Sequence, residues 1–234
     1  MKNLTTLALL WLLALVPALA QTAPQSRTVG SFRAIEVGNG IELRLTSGQT
    51  QRVEASADTP ELLARIKTEV RDGILKITFD REMGDFWSKK VNNRNLRVNV
   101  TAAALTGLQA NSGANVEVIG AYATDKLDLG VSSGATLRAD FTANTLQASV
   151  SSGGVATVMG KIQRLDVQAS SGGVFRGGDL QAKACDASAS SGGTVAVAVQ
   201  ESLTANASSG GDVRYSGSPQ VTKRTSSGGS VKGR

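Results

Sequence analysis

The sequence predicts an all-β protein, a parallel β-solenoid (β-helix-like) with about 19 residues per coil and a Ser-Ser-Gly-Gly turn at one corner. Two observations indicate this fold. One short turn motif returns at nearly constant spacing, and apolar residues alternate with polar residues on both sides of it. A unit of this length leaves its apolar face uncovered unless a similar unit stacks on it, so the repeat predicts a continuous stack of coils.

The turn motif occurs seven times from residue 111 onward. Its copies are NSGANV from Asn111, SSGATL from Ser132, SSGGVA from Ser151, SSGGVF from Ser170, SSGGTV from Ser190, SSGGDV from Ser208 and SSGGSV from Ser226. Their first glycines are spaced by 21, 19, 19, 20, 18 and 18 residues. We expect glycine to allow a positive φ at the corner, and serine hydroxyls to bridge backbone groups in the same or neighbouring turns. The structural turn residues in this prediction are Ser151, Gly153, Ser170, Gly172, Ser190, Gly192, Ser208 and Gly210.

The strands beside the turns have the period-two pattern of a sheet with one buried face. Ahead of the turn, two inward columns are predicted: Leu127, Leu146, Leu165, Cys185, Leu203 and Val221, then Leu129, Ala148, Val167, Ala187, Ala205 and Lys223. After the turn, the inward column is Val116, Leu137, Ala156, Phe175, Val195, Val213 and Val231. The outward columns are Asp128, Gln147, Asp166, Asp186 and Thr204 before the turn, and Glu117, Arg138, Thr157, Arg176, Ala196, Arg214 and Lys232 after it.

Residues 28–234 are predicted to form a single domain, with an irregular β-rich opening at 28–104 and regular coils at 105–234. The Gly-Asn-Gly corner at 38–40 reads as a degenerate first copy of the turn. Residues 59–70 are predicted to form one short helix, capped by Thr59 and followed by the strands RDGILKITF and NLRVNVTA.

A cluster of aromatic and basic residues lies in the segment 81–90. Phe86, Trp87, Lys89 and Lys90 are candidate contacts with a sugar ring, a lipid interface or a protein partner. The alternative is a loop that folds its aromatic side chains over one end of the core.

The N-terminus has the pattern of a cleavable signal peptide at 1–20: Lys2, an apolar run from Leu4 to Val16, and the small-residue site Ala18-Leu19-Ala20. Residues 21–27 are then a short linker. The apolar run is shorter than the roughly 20 residues that span a bilayer. We therefore expect export to the periplasm, the cell surface or the medium, with no transmembrane segment in the mature chain.

The residue inventory excludes several kinds of catalysis. The chain contains no histidine and one cysteine, Cys185, so Ser-His and Cys-His catalysis and the usual transition-metal sites are not expected. We predict no enzyme activity, no catalytic residue, no metal and no cofactor. One alternative stays open, because Asp166 and Asp186 would be neighbours in a carboxylate column of the kind found on carbohydrate-active β-helices. The competing interpretation is a solvated acidic face, which Gln147 and Thr204 interrupt.

The net charge of the chain is +6, and Lys2 is lost with the signal peptide. This excess attracts anionic partners such as envelope polysaccharide. The basic residues are dispersed, which argues against nucleic acid. Another surface protein is a second possible partner, and exposed end coils could also pair into homo-oligomers.

The order of four segments resembles a known bacterial family. These segments are FRAIEVGNGIELRL, VRDGILKITF, NLRVNVTAAALTGLQANSGANVEV and the string of SSGG turns. Over roughly residues 28–232 the chain resembles the putative auto-transporter adhesins with a head GIN domain. The resemblance implies an exported, solenoid-like protein of the cell envelope with an adhesive role, and it supplies no catalytic or ligand residues. The predicted function is thus a non-catalytic envelope solenoid, either an adhesin or a structural and binding module. The alternatives are a carbohydrate-active enzyme that uses the Asp column and a peripheral membrane binder that uses the 81–90 loop.

Overall fold

A computed structural model describes residues 23–81, 95–103 and 105–234. The first third of these residues contains eight short strands and one helix: β1 (Gln25–Ser26), β2 (Ala34–Val37), β3 (Glu42–Ser47), β4 (Arg52–Ser56), α1 (Pro60–Arg65), β5 (Ile66–Arg71), β6 (Ile74–Phe79), β7 (Arg97–Ala102) and β8 (Gly107–Ala110). The remainder contains five long and three short strands: β9 (Asn115–Val131), β10 (Thr136–Val150), β11 (Val155–Ala169), β12 (Val174–Ala189), β13 (Thr194–Ala207), β14 (Asp212–Ser216), β15 (Gln220–Thr225) and β16 (Ser230–Gly233).

Each long strand runs from one corner to the next and forms one coil. Its first half follows a corner and belongs to the post-turn sheet, whose strands are β1, β4, β7, β3, the first halves of β9 to β13, β14 and β16. Its second half precedes the next corner and belongs to the pre-turn sheet, whose strands are β5, β6, β2, β8, the second halves of β9 to β13, and β15. Consecutive coils pair in parallel along both halves. The predicted solenoid is confirmed, with about seven turns about 19 residues apart.

The core is the stack of inward columns between the two sheets. Leu127, Leu146, Leu165, Cys185 and Leu203 are successive register partners, and each is at most 3% exposed. The predicted columns are confirmed through β13. They open at the last coil, where Val221 is 36% exposed and Lys223 is also exposed. An apolar side chain at an inward position is therefore buried only where another coil covers it on each side.

The corners are two-residue turns with two left-handed residues each. In the turn that starts at Ser151, Ser152 has φ +49°, Gly153 has φ +71°, and the amide of Gly154 donates to the carbonyl oxygen of Ser151 at 2.8 Å. Positive φ at both central residues is the type I′ geometry. Serine therefore adopts one of the two left-handed conformations that we assigned to glycine.

The second glycine of the motif has a different physical reason. A Cβ atom on Gly154 would lie 2.6 Å from the carbonyl oxygen of Val131, so the corner passes too close to the preceding coil for a side chain. Main-chain bonds join successive corners, because the amide of Gly153 donates to the carbonyl oxygen of Ser171 at 3.2 Å. Bridging by serine hydroxyls stays a prediction.

The Gly-Asn-Gly corner has the same geometry as the later turns. Asn39 and Gly40 have φ values of +60° and +74°, and the amide of Gly40 donates to the carbonyl oxygen of Ser112 at 3.0 Å. The interpretation of this corner as a degenerate first copy is confirmed.

The helix prediction for residues 59–70 is wrong in its second half. Thr59 caps α1, since its hydroxyl accepts a bond from the amide of Leu62 at 3.3 Å, but the helix ends at Arg65. Residues 66–71 form β5, which pairs antiparallel with β6. The cause is the Asp72-Gly73 turn, whose two positive φ values join the strands as a tight hairpin. The sequence carried this signal as Asp-Gly between two alternating segments.

The two ends of the stack differ. At the N-terminal end, β5 lies antiparallel on β6, β4 lies antiparallel on β7, and β1 lies antiparallel on β4. At the other end, β15 pairs with β13 and β16 pairs with β14, both in parallel. The antiparallel strands interrupt the coil pattern and form an N-terminal cap.

Removing one middle coil should be tolerated, whereas removing the cap should not. Deleting residues 154–172 joins Gly153 to Gly173 and rebuilds a Ser-Ser-Gly-Gly corner, so coils stack again across the junction. A chain that begins at residue 105 exposes the apolar edges of β8 and β9. We expect circular dichroism and size exclusion to show a folded monomer with a lower melting temperature for the first, and an aggregated chain for the second. The reverse result would contradict a core built of stacked, interchangeable coils.

Leu165→Ala should destabilise the middle of the stack. Leu165 is 0% exposed, and its removal leaves a cavity between two fixed coils, which costs about 2–5 kcal/mol in the free energy of unfolding. Urea denaturation measures the change. The matched control is Gln168→Ala on the same strand, where the side chain is exposed and about 0.5 kcal/mol or less is expected. Similar losses for both variants would refute the assignment of inward and outward positions.

Candidate binding surfaces

The outward positions of the two sheets form two flat polar faces. On each face, equivalent side chains from consecutive coils are register partners, and the coils lie about 4.8 Å apart. A third surface is the edge formed by the stacked corners. Ser151, Ser170, Ser190 and Ser208 hold its first turn position, and Gly153, Gly172, Gly192 and Gly210 hold the third.

The pre-turn face carries the predicted carboxylate column. Gln147 pairs with Asp128 and Asp166, and Asp186 pairs with Asp166 and Thr204. A shallow groove of about 270 Å³ opens over this column and is lined by Gln109, Asp128, Gln147, Ser149, Asp166 and Gln168, among others. The face therefore presents carboxylate, amide and hydroxyl groups at regular intervals.

Asp166 and Asp186 lie on adjacent coils, which places their backbones about 4.8 Å apart. Two carboxyl groups on neighbouring coils can approach the separation of about 5–5.5 Å that retaining glycosidases use. The surroundings differ from those of a catalytic pair. Asp186 keeps 48% of its side chain exposed, and the Arg164 guanidinium lies 3.4 Å from its carboxylate. An open, ion-paired carboxylate can accept hydrogen bonds from the hydroxyl groups of a ligand.

Cys185 lies in the core next to these carboxylates and is 3% exposed. Burial raises the pKa of its thiol to about 12, and the negative charges of Asp186 and Asp166 contribute in the same direction. The thiolate is the reactive form, so the thiol is inert in the folded chain.

The post-turn face carries the second predicted column. Arg138, Thr157, Arg176, Ala196, Arg214 and Lys232 are consecutive register partners. In the first coils of this face, acidic side chains neutralise the basic ones: the Arg44 Nε lies 2.8 Å from the Glu42 carboxylate and 3.8 Å from that of Glu117. From Arg138 onward the column itself is basic or neutral.

A groove of about 440 Å³ lies on the post-turn face over β12, β13 and β14. Its lining includes Val174, Thr194 and Ala196 from the outward positions, with Arg176, Arg214 and Arg234 around them. Asp179, Ser216 and Tyr215 also line it. Sequence reasoning placed Arg176, Ala196 and Arg214 in one column but missed the groove. The signal was a short side chain between two arginines at the same position of three consecutive repeats.

The predicted contact residues Phe86, Trp87, Lys89 and Lys90, and the predicted signal peptide, lie outside the described residues. Within the described ranges, no helix has the length and hydropathy needed to cross a membrane. The same part of the chain shows no group of three or more histidine, cysteine or acidic side chains placed to hold a metal ion.

Comparison with known proteins connects this architecture to one family. Residues 31–219 match the profile of the family described as putative auto-transporter adhesin, head GIN domain. Crystal structures of putative adhesins from Bacteroides fragilis and Parabacteroides distasonis are each 21% identical, with TM-scores of 0.76 and 0.70, and each comparison covers 91% of this chain and 96% of the other. A putative lipid binding protein from Parabacteroides distasonis is 19% identical, with a TM-score of 0.63 and coverage of 90% and 96%. At these identities the neighbours show the fold alone. No curated protein matches the sequence.

Cys185 should resist alkylation in the folded protein. Iodoacetamide at pH 8 reacts with thiolate, and a pKa of about 12 leaves almost none of it. Since the folded-state pKa lies above the ordinary value of 9.0, stability is full below pH 9 and falls as the pH rises toward 12. Mass spectrometry should find Cys185 unmodified in buffer and fully modified in 6 M guanidinium. Rapid native labelling would contradict the buried column.

Proposed function

Because the chain belongs to the putative auto-transporter adhesin, head GIN domain family, we propose that it is an exported, non-catalytic adhesive module of the bacterial cell envelope. The apolar run between Leu4 and Val16 supports export. The proposed ligand class is a repeating surface molecule, with envelope polysaccharide first and a surface protein second.

The observation that carries this proposal is the straight register of outward side chains. Ladder bonds fix each coil on its neighbours, so columns such as Gln147, Asp166 and Asp186 present polar groups at one repeat distance. A polymer with its own repeat can engage many such groups at once. The individual contacts are weak, but after the first one the others form intramolecularly, and the affinities multiply.

The residue inventory supports a binding role over catalysis. The chain lacks histidine, and its one cysteine is buried with a raised pKa. The Asp166 and Asp186 pair is the observation that favours the enzyme alternative. The half-exposed position of Asp186 and its contact with Arg164 favour ligand binding, because a carboxylate on an open surface can accept hydrogen bonds from sugar hydroxyls.

The proposal is tested by measuring the retention of residues 21–234 on whole bacterial cells, on purified envelope polysaccharide and on liposomes free of polysaccharide. We expect the protein to be retained on cells and on polysaccharide and not on liposomes. N-terminal sequencing of the exported protein should show that it begins at Gln21. The bound polysaccharide should keep its chain length in the presence of the parent protein and of the Asp166→Asn/Asp186→Asn variant.

Three outcomes would contradict this function. A complete lack of retention on cells would exclude adhesion. Binding to liposomes alone would indicate lipid recognition. Shortening of the polysaccharide by the parent, lost in the Asp→Asn variant, would identify an enzyme.

A further inference from the structure

We propose that the groove on the post-turn face binds a polysaccharide in which a carboxylated sugar alternates with a neutral one. This inference rests on the proposed adhesive function and names its ligand class. The proposed binding residues are Arg176 and Arg214, which line the groove, and Arg138, which lies outside it two coils along the same column; we call these three residues the arginine track.

The first argument is spacing. The arginines of the track lie on alternate coils, because Thr157 separates Arg138 from Arg176 and Ala196 separates Arg176 from Arg214. Alternate coils are about 9.6 Å apart, twice the distance between neighbouring strands. A pyranose unit in an extended chain covers about one coil, so a disaccharide covers two. One carboxylate per disaccharide therefore meets one guanidinium per two coils.

The second argument is the shape of the groove. Ala196 is short, and it leaves a hollow between the two longer arginines on either side. Val174 and Ala196 give this hollow an apolar floor, and Tyr215 adds an aromatic ring to the lining. A sugar ring can lay a C–H face on such a floor while its carboxylate reaches Arg176 or Arg214. Arginine binds a carboxylate through two parallel N–H bonds, which fixes orientation as well as charge.

The third argument is the availability of the charges. Arg138 and Arg176 form no ion pair within 4.0 Å in the part of the chain that the structure describes, and both are exposed. Arg214 is paired, since its Nε lies 2.6 Å from the Asp212 carboxylate, and this contact holds the guanidinium in place at the groove. The Arg164 guanidinium on the pre-turn face is paired in the same way, with Asp186.

Acidic side chains beside the track favour a carboxylated polysaccharide over nucleic acid as the ligand. Asp179 lines the groove, and Asp140 follows Arg138 on the same outward face. Carboxylates accept bonds from sugar hydroxyls but repel a dense row of phosphates. Duplex DNA carries a charge about every 1.7 Å, far more densely than one arginine per two coils.

The experiment measures binding of size-defined hyaluronate oligomers by isothermal titration calorimetry. In hyaluronate an acidic sugar alternates with a neutral one. The protein is the mature chain, the Arg176→Gln/Arg214→Gln variant, or the control Lys126→Gln/Lys183→Gln. The control removes the same charge from two exposed positions in the second halves of β9 and β12, away from the groove and from the carboxylate column. Melting temperatures check that all three proteins fold.

We expect the Arg176→Gln/Arg214→Gln variant to bind at least about tenfold more weakly, since it loses the charge-assisted hydrogen bonds between the guanidinium groups and the ligand carboxylates. The control should stay within about twofold of the parent. Affinity should rise with oligomer length until the chain spans Arg138 to Arg214, about 19 Å, and Arg138→Gln should abolish that rise.

Several results would overturn the inference. These are equal binding of methyl-esterified hyaluronate, equal loss in the control variant, or equally tight binding of single-stranded oligo-dT. The inference would also be overturned if the parent protein does not bind hyaluronate but is retained on cells, and the adhesive function would then stand. If the parent protein binds neither hyaluronate nor cells, both the ligand class and the adhesive function are wrong.

Discussion

Main-chain hydrogen bonds in parallel register join each coil to the next, and the core, the corners and the two faces all depend on that register. The amide of Ser170 donates to the carbonyl oxygen of Val150, and that of Val174 to Gly154, so the bonds continue on both sides of a corner. A slip of one residue would turn every inward leucine toward solvent. Each coil therefore needs the corner residues and an apolar residue at each inward position, whereas its other positions can vary.

Unequal coil lengths are absorbed away from the corners. The repeat spacing varies from 18 to 21 residues, yet the corner positions stay paired. The register shifts instead lie near the middle of each coil: between Arg138 and Asp140, between Thr157 and Gly160, between Gly177 and Gln181, and between Ala182 and Ala184. Two glycines in the middle of coils lie close to a neighbouring backbone, because a Cβ atom on Gly160 would collide with the carbonyl group of Phe141 and one on Gly217 with that of Val199.

The sequence was most informative where one physical requirement acts at each repeat. The burial of Leu146, Leu165 and Leu203 follows from period-two alternation alone, and the corners follow from the need for positive φ. The helix prediction extended the capped start at Thr59 too far along the chain. The β-branched residues Ile66, Thr68 and Val70 favour a strand, and the Asp72-Gly73 hairpin supplies β6 as its partner. The groove was missed because it arises from the difference in side-chain length between Ala196 and its neighbours Arg176 and Arg214. Period-two alternation shows which side chains point outward but not which of them leave a hollow.

In the last coil, polar residues replace apolar residues at two of the inward positions. Lys223 and Thr225 occupy the positions that hold Ala205 and Ala207 one coil earlier. Another coil stacked on β15 would have to bury the Lys223 ammonium, at a cost of several kcal/mol. An inward charge on an edge strand is a known means of preventing further pairing. End-to-end association of two copies through this coil therefore requires an acidic partner for Lys223, and an apolar contact alone would not stabilise it.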